Sequence, residues 1–218
     1  MGELLPLLLD GAWMTVRITV VAAILAALLA MLAALAVNAP LRLLRWTAIV
    51  YVEIFRGTSL LVQLFWLYFV LPLPPFRVEL PSFTVAVLGI GLHIGAYGAE
   101  IMRGAFTAVP KGQLEAAIAL SIPPLTRFLR IIFPQALRNA IPPGTNLLIE
   151  LLKVTSMVSL ITLGDLSFRA SQLVQATFRS GEIFILTLLI YFLLAQVINV
   201  LMKGLEKRLS RGVIRGNL

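Results

Sequence analysis

The stretch PKGQLEAAIALSIPPLTRFLRIIFP, residues 110–134, is a polar interruption between long apolar runs. Pro110 pre-sets a helix start, residues 114–120 carry good helix formers, and Pro123-Pro124 forbids continuation, which predicts a first helix of at most about three turns. A second is predicted from Thr126, as N-cap, to Pro134, as stop. Neither approaches the roughly 20 residues that cross a bilayer. Both helices are therefore expected at a membrane surface, exposed to a partner. Ala116, Ala117 and Ala119 add little bulk and let the first helix sink into a groove on another protein, with Glu115 as a fixed charge for orientation. A helix merely resting on lipid would need a broader apolar face than Leu114, Ala117, Ile118 and Ser121 supply.

The flanks of this stretch are membrane material. The chain is 60% hydrophobic and 13% charged, with a formal net charge of +8. That charge does not imply nucleic acid, because the bases sit between apolar runs instead of forming one stripe interleaved with aromatics. There is no cysteine and one histidine, His93, so disulfides, thiolate metal sites and a histidine cluster are excluded, and no metal or cofactor is expected in this chain. The runs predict a single all-α domain over residues 1–218 with spans at about 13–37, 46–71, 82–105, 141–160 and 182–202. Residues 1–10 carry Glu3 and Asp10 but no base, unlike the start of a cleaved secretion signal, and are read as an extracytoplasmic end. The segments then assigned to the inside hold eleven bases (Arg42, Arg45, Lys111, Arg127, Arg130, Arg138, Lys203, Lys207, Arg208, Arg211 and Arg215), against three outside (Arg77, Arg169 and Arg179). That asymmetry supports an outer N-terminus, an inner C-terminus and an inward-facing 110–135 loop.

Three spans carry a glutamate three residues before a base: Glu53/Arg56, Glu100/Arg103 and Glu150/Lys153. At this spacing each pair shares a helix face, and mutual neutralisation inside the bundle is expected. The first two pairs lie near the inner end, where bracing is the simpler reading. Glu150/Lys153 is placed near mid-span, where a charge costs about 2.5 to 3.5 kcal/mol, and a role on a transport pathway stands level with bracing. His93 shares a face with Tyr97. For these two, and for Gln63 and Ser156, helix packing and pathway lining are the competing readings. Gly89, Gly91, Gly95 and Gly98 are expected to let another backbone approach the third span.

Several stretches together resemble a known family. Glu115-Ala116-Ala117, then Ser121, then Ile131-Ile132-Phe133-Pro134 are similar to the EAA loop, E-A-A-x3-G-x9-I-x-L-P, of bacterial ABC importer permeases, with Ser121 where glycine is usual and Phe133 where leucine is usual. YVEIFRGTSLLVQ (residues 51–63), GAYGAEIMR (95–103), Gly112-Gln113, Pro134-Gln135-Ala136 and KVTSMVS (153–159) resemble permeases of the polar amino acid type. Val154, Glu150 and His93 depart from that pattern. The resemblance implies a type I importer permease fold in the bacterial inner membrane. Its coupling helices, through Gly112, Glu115, Ala116, Ala117, Ser121, Ile131 and Pro134, would dock on a separate ABC ATPase. It further implies a second permease chain, identical or related, and an extracytoplasmic solute-binding protein. ATP and magnesium would belong to the ATPase. Within this reading Glu150 is expected to meet the cationic part of a polar amino acid or similar zwitterion, an opine or ectoine-like solute included, and Lys153 or His93 its carboxylate, with Tyr97, Gln63 and Ser156 lining the same pathway.

The chain itself carries no G-x4-G-K-[ST] loop, no H-E-x-x-H and no G-x-S-x-G, so no enzymatic activity is expected of it. The alternative is a stand-alone channel or proton-coupled carrier using Glu150, Lys153 and His93 as a relay.

Overall fold

A computed structural model of the chain describes residues 4–37 and 39–209, and among them every regular element is helical. Arg211, Arg215 and Glu3, which entered the reading of topology, lie outside the described residues. α1 (Leu4–Val37) is followed by α2 (Arg42–Gly57) and α3 (Leu60–Phe65), the latter running on as a π-helical turn, Trp66–Val70. α4 (Ser82–Thr107), α5 (Lys111–Ala119) and the single turn α6 (Pro124–Arg127) come next. A π-helical turn (Phe128–Ile132) joins α6 to α7 (Phe133–Val154), which tightens into a 3-10 segment, Thr155–Ile161. α8 (Leu166–Thr177) and α9 (Ser180–Leu209) complete the chain.

By length and composition four helical segments are able to cross a membrane: α1, α4, the run Pro124–Ile161 and α9. The predicted second span is broken. α2 and the α3 segment meet at an angle of 104°, because Thr58 and Ser59 take extended backbone after Gly57. The fourth span also differs from expectation. Thr126 is no N-cap, since the helix begins at Pro124, and Pro134 does not end it. Pro134 follows a π turn, whose wider hydrogen-bond register accommodates a residue lacking an N–H, and Pro142 and Pro143 are likewise carried within α7. The second surface helix and the fourth span are thus one 38-residue rod, about 57 Å at 1.5 Å per residue and far longer than the hydrocarbon core.

The bundle is organised on α4, which packs most extensively on α1. Their seam is the predicted glycine face: a Cβ on Gly91 would meet Leu25 Cδ2 at 2.6 Å, and one on Gly98 would meet Ala30 Cβ at 2.8 Å. Ile18, Ala22 and Ala26 of α1, Leu64 of α3, Ile90 of α4 and Leu151 of α7 are buried together in the core around that contact. Tyr51 on α2 donates to the Leu92 carbonyl at 2.8 Å and fixes α2 to α4.

Candidate functional site

Polar groups collect at the break between α2 and α3. Ending α2 at Gly57 leaves carbonyls without helical donors, and side chains supply them. Thr58 Oγ1 donates to Ile54 O at 2.7 Å and accepts from Gln63 Nε2 at 2.7 Å, while the same amide donates to Phe55 O at 3.1 Å. Gln63 therefore staples the corner that its own span makes. Across from it on α4, His93 and Tyr97 share a face as expected, with ring centroids 5.2 Å apart. The Arg56 guanidinium lies 5.4 Å from the centre of the Tyr97 ring, and Tyr97 Oη donates to Arg56 O at 3.4 Å. Glu150 on α7 is near enough to act on His93 electrostatically. Gln63 Oε1 and His93 Nδ1 are buried without a hydrogen-bond partner, two polar atoms left unspent where such atoms are normally paired.

The expected neutralising pairs are mostly not made. Glu100 and Arg103 form theirs at 2.7 Å, but Arg56 turns to Tyr97, and no ion pair joins Glu53 to Arg56 or Glu150 to Lys153 among the described residues. Glu53, Glu150 and Lys153 are all exposed on the surface of the single chain, so nothing buried forces the partners together. Ser156 donates to Lys153 O at 2.8 Å and Ser159 to Ser156 O at 2.7 Å, bonds three residues back that accompany the 3-10 tightening.

The second constellation is the loop between α4 and α7. α5 ends where Ser121 adopts a left-handed conformation, φ 53°, and Ile122 N donates back to Ala117 O at 3.0 Å. Ala117 is a correction to the expected docking surface: it is 2% exposed, and its small side chain lets α5 lie against the following π turn. Gly112, Glu115 and Ala116 are exposed, as are Ser121 and Pro134, and Ile131 is half-buried. More telling are Leu120 and Leu125, which the sequence reading passed over, together with Ile118, which it placed on a narrow apolar face. Leu120 is 75% exposed, Leu125 70% and Ile118 54%, an apolar patch on a loop whose 38-residue continuation leads straight to Glu150 and Lys153.

At the opposite end, α8 closes over α1. Asp165, fully buried, caps α8 by accepting from Ser167 N at 3.1 Å and Phe168 N at 3.0 Å. Burial pushes its carboxyl up to about 6, against the lowering effect of those N–H groups and the Tyr191 phenol. Thr15 Oγ1 accepts from Leu166 N at 3.1 Å, and Arg169 pairs with Asp10 at 3.0 Å.

A helical bundle with a broken span, charged groups on an exposed face and an apolar loop at one end has the features of a membrane permease that works in an assembly. Residues 26–211 match the family model described as binding-protein-dependent transport system inner membrane component, and the chain belongs to that family. It is 40% identical over 205 residues, covering 92% of this chain and 86% of the relative, to a probable amino-acid ABC transporter permease protein, y4tF, of Sinorhizobium fredii (strain NBRC 101917 / NGR234). It is 33% identical to the glutamine transport system permease protein GlnP of Escherichia coli (strain K12), with 94% of each chain covered. A crystal structure of an amino acid ABC transporter with histidines superposes with a TM-score of 0.88 at 33% identity, covering 95% of this chain and 96% of the other. The chain is the permease component of an ABC importer, as the EAA-like loop implied.

Proposed function

We propose that this chain forms part of the transmembrane pathway of an importer for polar amino acids or closely similar zwitterions in a bacterial inner membrane, its N-terminus outside and its C-terminus inside. An ABC ATPase docks on the α5–α6 loop and supplies the ATP and magnesium chemistry. A solute-binding protein delivers substrate to the outer face, and a second permease chain, identical or related, completes the pathway. The observation that carries this reading is the exposed apolar surface of Ile118 and Leu120 at the end of α5 and of Leu125 on the next helical run, which continues to Glu150 and Lys153. An apolar surface on a polar loop is expected where another protein covers it, and a continuous helix transmits the partner's movement as a rigid lever.

Glu150 and Lys153 face out of the single chain at membrane depth. Hydrocarbon would penalise both, so that face belongs against the second permease chain and its water-filled pathway. There Glu150 receives the cationic end of the substrate, and Lys153 or His93 its carboxylate. The unspent Gln63 Oε1 and His93 Nδ1 mark the adjoining corner as one that receives polar solute or water. Proteoliposomes holding the permease, its ATPase and the solute receptor should import amino acid only with ATP, and Glu150→Gln should change apparent affinity and preference among cationic and neutral amino acids while insertion is unaltered. Uptake by this chain without any ATPase would instead establish a carrier or channel. A cysteine placed at Lys111 should react with impermeant reagent only from the cytoplasmic side.

A further inference from the structure

Among α1, α4, α7 and the last turns of α9 lies a cleft of about 260 Å3, bounded by Ala27 and Met31 of α1, Leu137 and Gly144 of α7, and Met202 and Leu205 of α9. It exists because α9 packs on α7 and scarcely on α1, and because the facing positions are small. A Cβ built on Gly144 meets nothing within 4 Å. The lining is apolar, so water would find no partners there. α1 and α9 are also the helices that leave long apolar faces such as Leu28, Leu32, Val197 and Leu201 uncovered, which places the cleft mouth in contact with lipid.

One end of the cleft is basic. Arg138 follows the wall residue Leu137, is half-buried, and donates through Nε to Leu209 O at 3.0 Å, one turn beyond Leu205. That bond holds the guanidinium at the cleft mouth, and among the described residues its two terminal nitrogens have no acceptor. Lys203, Lys207 and Arg208 are exposed on the same turns of α9, against the single acid Glu206. A planar guanidinium with two free donors matches a phosphate, and a basic pocket between membrane helices suits an anionic headgroup.

We propose that this cleft binds one acyl chain of an anionic phospholipid whose phosphate is held by Arg138, with Lys203, Lys207 and Arg208 favouring the anionic headgroup. Its assignment to the inner leaflet rests on the orientation given above; the binding itself does not.

The test is native mass spectrometry of the intact permease–ATPase complex, purified in detergent and exposed to an equal mixture of phosphatidylglycerol and phosphatidylethanolamine. The wild-type complex should retain phosphatidylglycerol preferentially. Arg138→Gln should lower that retention about fivefold, the effect of losing one base near a headgroup, with a smaller fall for phosphatidylethanolamine, whose phosphate is partly offset by its own ammonium. Arg138→Lys should keep the preference, which separates headgroup binding from the tie to Leu209. Gly144→Leu, which adds bulk at a lining position where a Cβ meets nothing within 4 Å, should abolish retention of both lipids in a complex that still denatures at the wild-type temperature. No preference in the wild type, or undiminished lipid on Gly144→Leu, overturns the proposal. So does cross-linking of two permease copies through cysteines at Ala27 and Leu205, which would give the cleft to a second protein chain. Mass spectrometry does not sense orientation, so labelling at position 111 judges the topology separately.

Discussion

Two short helices sit between membrane runs at opposite ends of this molecule, and they are finished differently. α8 is closed by its own chain: Leu166, Ala170 and Leu173 are buried against Leu8, Ala12 and Ile183, its first turn is capped by Asp165, and Arg169 ties it to Asp10. α5 has one buried residue, Ala117, and its loop turns Ile118, Leu120 and Leu125 outward. α8 is thus a lid completed by its own chain, whereas α5 is left open, as a plug for a partner's socket would be. What separates them is whether the chain itself supplies the covering surface.

The largest effects should come from placing a charge on each helix. Leu166→Asp puts an unpaired carboxylate into a fully buried position and should destabilise the subunit by about 3 to 5 kcal/mol, read as loss of folded protein from membranes. Ile118→Asp lies on open surface, so thermal denaturation of the isolated subunit should be unchanged. ATPase co-purification and ATP-dependent uptake should fall at least tenfold. Equal loss of folded protein in both variants would erase the distinction. Glycines give a second contrast. A Cβ on Gly11 would meet Asp165 O and Leu166 Cα at 2.9 Å, mostly unyielding backbone, whereas one on Gly112 meets nothing within 4 Å. Gly11→Ala should cost about 3 kcal/mol, the upper end for overpacking, while Gly112→Ala should leave folding intact or strengthen α5 by up to about 1 kcal/mol. A drop in uptake with Gly112→Ala at unchanged stability would show that the ATPase approaches that backbone closely.

Asp165 makes the lid sensitive to pH. Its carboxyl is raised to about 6 from the ordinary 3.8 because burial disfavours the ion. A raised folded value means the stabilisation is complete below the unfolded value, near 3.8, and is lost as pH climbs through about 6. Asp165→Asn keeps a side-chain cap and removes the titration. The variant should be more stable than wild type at pH 7 by on the order of 2 kcal/mol, with the difference shrinking toward pH 4. A wild-type denaturation profile flat from pH 4 to 7 would contradict this.

Much of the architecture was legible because it depends on what periodicity records. Spans one, three and five, the glycine face of α4 and the shared face of His93 and Tyr97 all follow from apolar run length and helical spacing. The break at Thr58 was not, because Gly57-Thr58-Ser59 is a small polar interruption that an average over 20 residues absorbs. Its signature is dihedral, and the only sequence trace was Gln63, a donor long enough to repair the corner. The continuation through Pro134, Pro142 and Pro143 was missed for the opposite reason. Proline reads locally as a stop, yet a π turn and side-chain donors such as Gln135 to Ile131 O at 2.9 Å and Thr145 to Ile141 O at 2.9 Å support the helix carbonyls around those positions. In the α5–α6 loop, spacing located the helix, but Ala117 is buried within the chain where an exposed contact was expected, because smallness suits a buried contact as well as an external groove.

Ser121 gives the smallest and most local comparison. It ends α5 at φ 53°, and Phe178 ends α8 at φ 56°, so both helices stop on a left-handed residue with a side chain. Such a conformation strains an L-residue by about 1 to 2 kcal/mol, and glycine is relieved of it. Glycine also loses more freedom on folding, so Ser121→Gly should raise stability by only about 1 kcal/mol, seen as a small upward shift in thermal denaturation. Uptake should be unchanged, because φ is already what a glycine there would adopt and the exposed face of Ile118 and Leu125 keeps its geometry. A loss of uptake despite higher stability would mean that the Ser121 hydroxyl itself meets the ATPase, and the plug would then be read by a polar contact as well as by its apolar patch.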